Sequence, residues 1–229
     1  MSARVSLRTV FHRALQAEPE PVLLILLPGF DMHAEDFVTH GFIEAAQAYA
    51  PFVDILVAEP DLDLYLDGTI GAQLAALIPA KDAGCYAQTW LAGISLGCFG
   101  ALLAAAPPAA VEGLILLAPF LGTPGLIAEI DRAGGLAKWE AGVIAANDHE
   151  RRMLAQLKHY GGGPETWPIL HLGYGKSDRF SAASRLLAAL LPQDRVYEIE
   201  GAHDWPSWRL LWRRILAADP LSLAMRPGR

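Results

Sequence analysis

The sequence predicts an α/β fold in which a mostly parallel central sheet is covered by helices on both faces. Continuous apolar runs at residues 22–27 and 113–118 are typical of parallel strands that are buried on both sides. Stretches with helical periodicity separate these runs from further strand-like segments. Alternation of this kind implies right-handed crossovers within one parallel sheet.

The size and composition of the chain fit one soluble domain spanning residues 1–229. Its 53% hydrophobic content is enough to form a large core. The net charge of −7 argues against nucleic acid or an anionic membrane as the main partner. No apolar stretch reaches the roughly 18 residues that span a bilayer, and no apolar run opens the chain as in a secretory leader. We therefore expect a cytoplasmic protein, and the sequence does not indicate its oligomeric state.

The elements of the first half follow from short apolar runs that end at Pro or Gly. The run at 22–27 is a central strand because it is apolar throughout, and Pro28-Gly29 ends it. Helical spacing at 34–50 places Phe37, Phe42 and Tyr49 on the inner face. The remaining elements expected in this half are a short strand within 5–11, a strand at 52–58, a helix at 69–78 and a strand at 89–92.

The second half continues the alternation but contains one unusually long interval. A helix follows residue 97, and the expected elements after it are strands at 113–118, 168–172 and 195–199 and helices at 182–191 and 205–218. The interval 120–166 has no strand and is broken repeatedly by glycine. It is long for a plain crossover, so it is either a crossover with a small helical lid or a surface helix pair without a role. In the lid interpretation, Trp139 and Met153 are expected to face substrate.

Residues 93–97, of sequence GISLG, are the most informative motif. They lie between a strand-like run and a helix-like run. A serine between small residues on a sharp strand-to-helix turn is typical of a nucleophile elbow, which raises the hydroxyl above the sheet edge. The pentapeptide alone is a weak signal, and its position between the two elements strengthens it. We therefore interpret Ser95 as a candidate nucleophile.

A serine nucleophile needs a base and an orienting carboxylate, and both are expected in loops at the carboxyl ends of strands. His203 follows the final strand and is the candidate base, although a capping or core role is the alternative. Asp178 is the candidate acid after the preceding strand, although it could instead cap the next helix. Asp204 fits a helix start better than the acid role, because adjacent side chains diverge.

An oxyanion in the transition state requires hydrogen-bond donors. The N–H of Leu96 lies at the start of the helix after Ser95, where the helix dipole favours negative charge. The second donor is expected from the N–H of Phe30, in the turn after the first central strand, although this turn could simply end the strand. Asp31 and Met32 in the same loop are expected to border the substrate pocket.

Taken together, residues 27–30, 93–97, 175–178 and 201–203 resemble the α/β-hydrolase superfamily. The resemblance covers most of the chain. It implies a Ser-Asp-His hydrolase, most often an esterase, thioesterase or peptidase that acts through an acyl-enzyme on a small-molecule acyl substrate. The N-terminal hairpin is shorter than is usual in that superfamily. The oxyanion loop reads Pro-Gly-Phe where many relatives have His-Gly or a glycine run.

Other candidate sites are weaker. His33 lies near Asp31, Glu35 and Asp36, but no second histidine has a metal-ligand spacing, so we expect no metal and no cofactor. Cys85 and Cys98 form no disulfide framework. Two functional alternatives stay open, namely an acyltransferase with the same triad and a non-catalytic binding protein of the same fold.

Overall fold

The computed structural model describes residues 7–18, 21–161 and 167–222 and contains a seven-stranded sheet. The strands are β1 (Leu7–His12), β2 (Val22–Leu27), β3 (Val53–Pro60), β4 (Gln88–Ile94), β5 (Gly113–Leu117), β6 (Ile169–Gly175) and β7 (Val196–Ile199). Their spatial order is β1-β3-β2-β4-β5-β6-β7. Only β1 pairs antiparallel, at the edge against β3, and every other pair is parallel.

Helices cover both faces of the sheet, which confirms the predicted fold class. They are α1 (Ala34–Thr39), α2 (Phe42–Tyr49), α3 (Leu62–Leu66), α4 (Ile70–Ala75), α5 (Leu96–Ala104), α6 (Pro124–Arg132), α7 (His149–Leu157), α8 (Ser181–Ala188) and α9 (Trp205–Leu216). One hydrophobic cluster joins the sheet to α1, α2 and α9. A second cluster on the opposite face joins it to α3–α8. β2 and β4 are buried along their whole length because they lie between these two layers.

The helix expected at 34–50 is two helices. Gly41 adopts a left-handed conformation with φ 72°, which ends α1 and starts α2 in a new direction. Phe37 and Phe42 are buried as expected, but Tyr49 at the end of α2 is about half exposed, so its assignment to the inner face was wrong. Tyr49 shares a face of α2 with Phe42, but it is the last residue of that helix and lies beyond the buried part of the face.

The chain between β5 and β6 contains α6 and α7, together with apolar residues that pack into the second cluster. Residues 162–166 of the expected lid interval lie outside the described part. Nothing in the described residues distinguishes a mobile lid from a fixed crossover, so the lid remains a prediction. Within the described ranges, no helix combines the length and apolarity that crossing a bilayer requires.

Candidate active site

Ser95 lies on a strained turn between β4 and α5. Its backbone has φ 54° and ψ −115°, a combination that is costly for a residue with a side chain. Two backbone hydrogen bonds hold this conformation, one from Ser95 N to the Leu117 carbonyl at 2.9 Å and one from Phe120 N to the Ser95 carbonyl at 3.1 Å. The end of β5 and the residues just after it therefore fix the serine.

The two glycines of the motif are required because a larger side chain would not fit at either position. A Cβ on Gly93 would lie 2.6 Å from the Cys98 nitrogen, and a Cβ on Gly97 would lie 2.6 Å from the Pro28 carbonyl oxygen. Both contacts are with backbone atoms, which cannot move aside cheaply. Small residues at these positions therefore allow α5 to approach β2 and β4 closely enough to form the turn. Cys98 in the first turn of α5 is fully buried.

His203 and Ser95 are brought together at the carboxyl edge of the sheet. His203 Nε2 lies 3.0 Å from Ser95 Oγ, which is hydrogen-bond distance. The loop that carries His203 connects β7 to α9, and Ala202 N of this loop donates a hydrogen bond to Ser207 Oγ in α9. Asp204 caps α9 by accepting from Ser207 N at 3.0 Å, which confirms its interpretation as a helix start.

Asp178 lies on the other side of the imidazole. Its Oδ2 is 2.7 Å from His203 Nδ1, and its Oδ1 accepts from Phe180 N at 2.7 Å. The loops after β6 and β7 are joined by hydrogen bonds from Lys176 N to the Ile199 carbonyl and from Ser177 N to the Gly201 carbonyl. These bonds set the position of Asp178 relative to His203.

Aromatic rings pack against the imidazole on two sides. The ring centroids of Phe180 and Trp208 each lie 5.0 Å from that of His203, with interplanar angles of 88° and 86°. Phe180 in turn packs edge-on against Phe120. Because the imidazole is enclosed by these rings and bonded at both nitrogens, its plane and its distance from Ser95 are restricted.

The expected oxyanion donors lie on two backbone segments beside Ser95. Leu96 is the first residue of α5, so its N–H is one of the four donors that have no acceptor within the helix. Phe30 lies in the loop after β2, and its side chain is exposed. Gly29 brings this loop against the nucleophile, because a Cβ on Gly29 would lie 3.2 Å from Ser95 Cβ. The distances from Leu96 and Phe30 to a bound oxyanion stay a prediction.

Two clefts meet beside Leu96. The smaller, of about 240 Å³, is bordered by the Phe30 loop, including Asp31 and Met32. The larger, of about 590 Å³, extends over Leu96, Phe99 and Phe120 to the start of α7. Both clefts are also lined by Leu62 and Tyr65 from α3.

Trp139 and Met153 do not border either cleft, and their expected substrate-facing role is corrected. Both side chains are buried in the hydrophobic core. Trp139 Nε1 donates to Glu129 at 2.8 Å, and Arg151 lies over its ring. Their apolar character therefore serves the packing of the segment between β5 and β6.

Sequence patterns did not predict four residues that border the clefts, namely Tyr65, Phe99, Phe120 and Glu59. Phe99 lies one helical turn after Leu96, so helical spacing from the elbow could have identified it. Phe120 follows the end of β5, and functional residues are expected in the loops at the carboxyl ends of parallel strands. Tyr65 belongs to a five-residue helix that has no periodic signal.

Comparison with solved structures gives many matches over nearly the whole chain. Est1E from Butyrivibrio proteoclasticus has a TM-score of 0.60 at 18% identity, covering 95% of this chain and 96% of that one. A monoacylglycerol lipase from Paleococcus ferrophilus has a TM-score of 0.62 at 14% identity, covering 94% and 98%. The S-formylglutathione hydrolase of Staphylococcus aureus has a TM-score of 0.57 at 13% identity, covering 93% and 96%.

This chain has the α/β-hydrolase fold. The match extends over more than nine-tenths of each compared chain. No protein-family model matches the sequence. No curated protein matches it either. At identities of 13–18%, the comparison describes the architecture, and any argument about chemistry depends on this chain's own residues.

Proposed function

We propose that the protein is a serine hydrolase that cleaves small acyl esters or thioesters through an acyl-enzyme on Ser95. The observation that carries this proposal is the pair of hydrogen bonds linking Ser95 Oγ to His203 Nε2 at 3.0 Å and His203 Nδ1 to Asp178 at 2.7 Å. A nucleophile, a base within reach of it and a carboxylate that orients the base are the three parts that acyl transfer through serine requires.

In acylation, His203 Nε2 takes the Ser95 hydroxyl proton as Oγ attacks the carbonyl carbon of the substrate. The carbonyl electrons move to the oxygen, and the N–H groups of Leu96 and Phe30 donate hydrogen bonds to that oxyanion. Collapse of the tetrahedral intermediate breaks the bond to the leaving group. The leaving alcohol or thiol receives the proton from His203, and Ser95 keeps the acyl group.

In deacylation, water takes the place of the leaving group. His203 removes a proton from water, whose oxygen attacks the acyl carbon, and the proton then returns to Ser95 Oγ as the acid departs. Asp178 accepts a hydrogen bond from His203 Nδ1 throughout. It therefore keeps Nε2 free to accept a proton and stabilises the imidazolium in both steps.

The two clefts support substrates with an apolar acyl or leaving group. Leu96, Phe99 and Phe120 form an apolar wall of the larger cleft, and Met32 and Tyr65 border the smaller one. The compared proteins include a monoacylglycerol lipase and an S-formylglutathione hydrolase by name, which agrees with ester or thioester substrates as a class. Asp31 and Met32 are proposed pocket residues on the side of the oxyanion loop.

The test is turnover of 4-nitrophenyl acyl esters of increasing chain length by the wild type and by Ser95→Ala. We expect the wild type to turn over at least the short esters and the variant to lose about 10⁴-fold or more in kcat, because the covalent step has no other nucleophile. Ser222→Ala, which changes a serine far along the chain from the elbow, serves as the matched control. Undiminished turnover by Ser95→Ala would contradict the proposal.

A further inference from the structure

We propose that Glu59 is a positioning residue that holds the oxyanion loop against Ser95. The inference depends on the proposed function, because it assigns a residue that tunes the same reaction. Glu59 is near the carboxyl end of β3 and borders the smaller cleft. Sequence spacing does not connect it to the elbow or to the loop, and its role follows from its contacts.

Glu59 joins three elements through one carboxylate. Its Oε1 lies 3.0 Å from His33 Nδ1, at the end of the oxyanion loop. Its Oε2 accepts from the backbone N–H of Ala34 at 2.8 Å, the first residue of α1. The same oxygen accepts from Arg8 Nη1 of β1 at 2.9 Å. The far end of the loop is therefore tied both to the sheet and to the edge strand.

The near end of the loop is fixed by β2 and by contacts around Gly29. Gly29 N lies 3.2 Å from Met32 Sδ, a contact that folds the loop back on itself. Asp31 between them has φ 58°, a left-handed conformation that costs energy for a residue with a side chain. Contacts with residues outside the loop must hold this conformation. Glu59 provides two of them, at His33 and at Ala34 N. Phe30, the expected oxyanion donor, lies between the two fixed ends.

The charges around Glu59 favour its ionised form. Partial burial alone would raise the pKa of Glu59, but the hydrogen bonds from His33 and Ala34 N and the charge of Arg8 together lower it. The hydrogen bond to Glu59 and its negative charge raise the pKa of His33. Glu35 of α1 binds Arg8 as well, and that contact lowers the pKa of Glu35 to about 2. Among the residues that the structure describes, Glu35 makes an ion pair with Arg8 alone, and it lines neither cleft.

The experiment compares Glu59→Gln with Glu35→Gln. Both changes remove one carboxylate from Arg8, but only the first loosens the loop. The readouts are kcat and KM for the best 4-nitrophenyl ester, and inhibition by a trifluoromethyl ketone and by the matching methyl ketone. The trifluoromethyl ketone forms a tetrahedral adduct with an active serine, so its affinity reports the oxyanion donors, whereas the methyl ketone reports ground-state binding.

We expect Glu59→Gln to lower kcat by about 10- to 100-fold with KM changed by less than about threefold, since displacing one donor costs part of its full contribution. The affinity for the trifluoromethyl ketone should fall in parallel, while that for the methyl ketone is retained. Glu35→Gln should stay within about twofold of wild type in all readouts. Circular dichroism and the melting temperature check that both variants fold.

His33→Ala provides a second variant if Glu59→Gln does not fold, because the His33 side chain is mostly exposed and contributes little to the core. It should show the same pattern with a smaller loss. Normal kcat and normal trifluoromethyl ketone affinity in the folded variants would overturn the inference, as would equal losses for both ketones. Turnover by Ser95→Ala would instead overturn the proposed function, so the two failures are distinguishable.

Discussion

The two sides of Ser95 are held in place by different physical means. On the base side, the side chains of His203 and Asp178 are 9% and 1% exposed and are enclosed by Phe180 and Trp208. On the oxyanion side, Arg8 and His33 are 48% and 67% exposed, and the loop depends on their ion pairs with Glu59. Buried packing resists small changes in side-chain orientation, whereas exposed ion pairs each contribute about 1 kcal/mol or less.

The proposed base is therefore positioned by buried side chains, and the proposed oxyanion loop by exposed ion pairs. Changes to the hydrogen-bonding groups of the base side should therefore remove most of the activity, and loss of one packing ring should cost less. Changes to the oxyanion side should leave the fold intact and reduce only the stabilisation of the transition state. Substitutions on the base side can be compared directly with Glu59→Gln.

The largest expected effect is that of Asp178→Asn. The amide can donate to His203 Nδ1 and so favour the tautomer whose Nε2 carries a proton and cannot act as base. We expect kcat to fall by about 10³- to 10⁴-fold in ester hydrolysis assays, well beyond the loss from Glu59→Gln. A loss no greater than that of Glu59→Gln would remove the contrast between the two sides. The exposed Asp194→Asn is the matched control and should retain activity.

A second prediction concerns His171 in β6, the strand that leads to Asp178. Burial and the nearby charge of Arg195 lower the pKa of His171 to about 4, and its Nε2 has no hydrogen-bond partner within the described residues. The folded state therefore keeps His171 neutral, while the unfolded state takes up a proton below pH of about 6.5. Stability contributed by the neutral histidine is present above pH 6.5 and is lost as the pH falls toward 4.

The variant His171→Leu should remove this pH dependence. Between pH 7.5 and 5, we expect the free energy of unfolding of the wild type to fall by about 2 kcal/mol more than that of the variant, which is about thirtyfold in the unfolding equilibrium. Urea unfolding followed by circular dichroism at both pH values measures the difference. Equal losses in the two proteins would show that His171 does not contribute to the acid sensitivity of the fold.

The smallest effect is expected from Phe180→Ala, which removes one of the two rings that pack on His203. The imidazole then gains freedom to move away from Ser95 Oγ, and we expect kcat to fall about tenfold with KM nearly unchanged. Leu210→Ala on α9 is the control, because Leu210 is 43% exposed and lies away from the imidazole ring contacts. Wild-type kcat in Phe180→Ala would mean that the hydrogen bonds alone position the base.

The same contrast explains how far the sequence could predict this molecule. Continuous apolar runs identified β2 and β5, because strands buried on both faces leave a local signal. Ser95, Asp178 and His203 were found because each follows or ends a strand, and parallel strands bring their carboxyl ends to one edge. The sheet was therefore predictable from local patterns, and the two hydrogen bonds between these side chains followed from its topology.

The features that the sequence did not predict depend on tertiary neighbours. Trp139 and Met153 are apolar residues of the segment between β5 and β6, which suggested contact with substrate. Their side chains are instead buried in the hydrophobic core between the sheet and the helices. Glu59, Arg8 and His33 come from separate elements. Arg8 reaches Glu59 because β1 pairs antiparallel with β3, and His33 reaches it from the loop between β2 and α1. No local sequence pattern predicts that these three residues meet.

Covalent labelling of the native protein with a fluorophosphonate tests the central claim most directly. The probe reacts with a serine only when a base activates it, so mass spectrometry of the digested protein identifies the nucleophile. We predict a single adduct on the peptide that contains Ser95, formed by the native protein and lost after denaturation or in His203→Ala. An unlabelled native protein, or an adduct on another serine, would contradict the account.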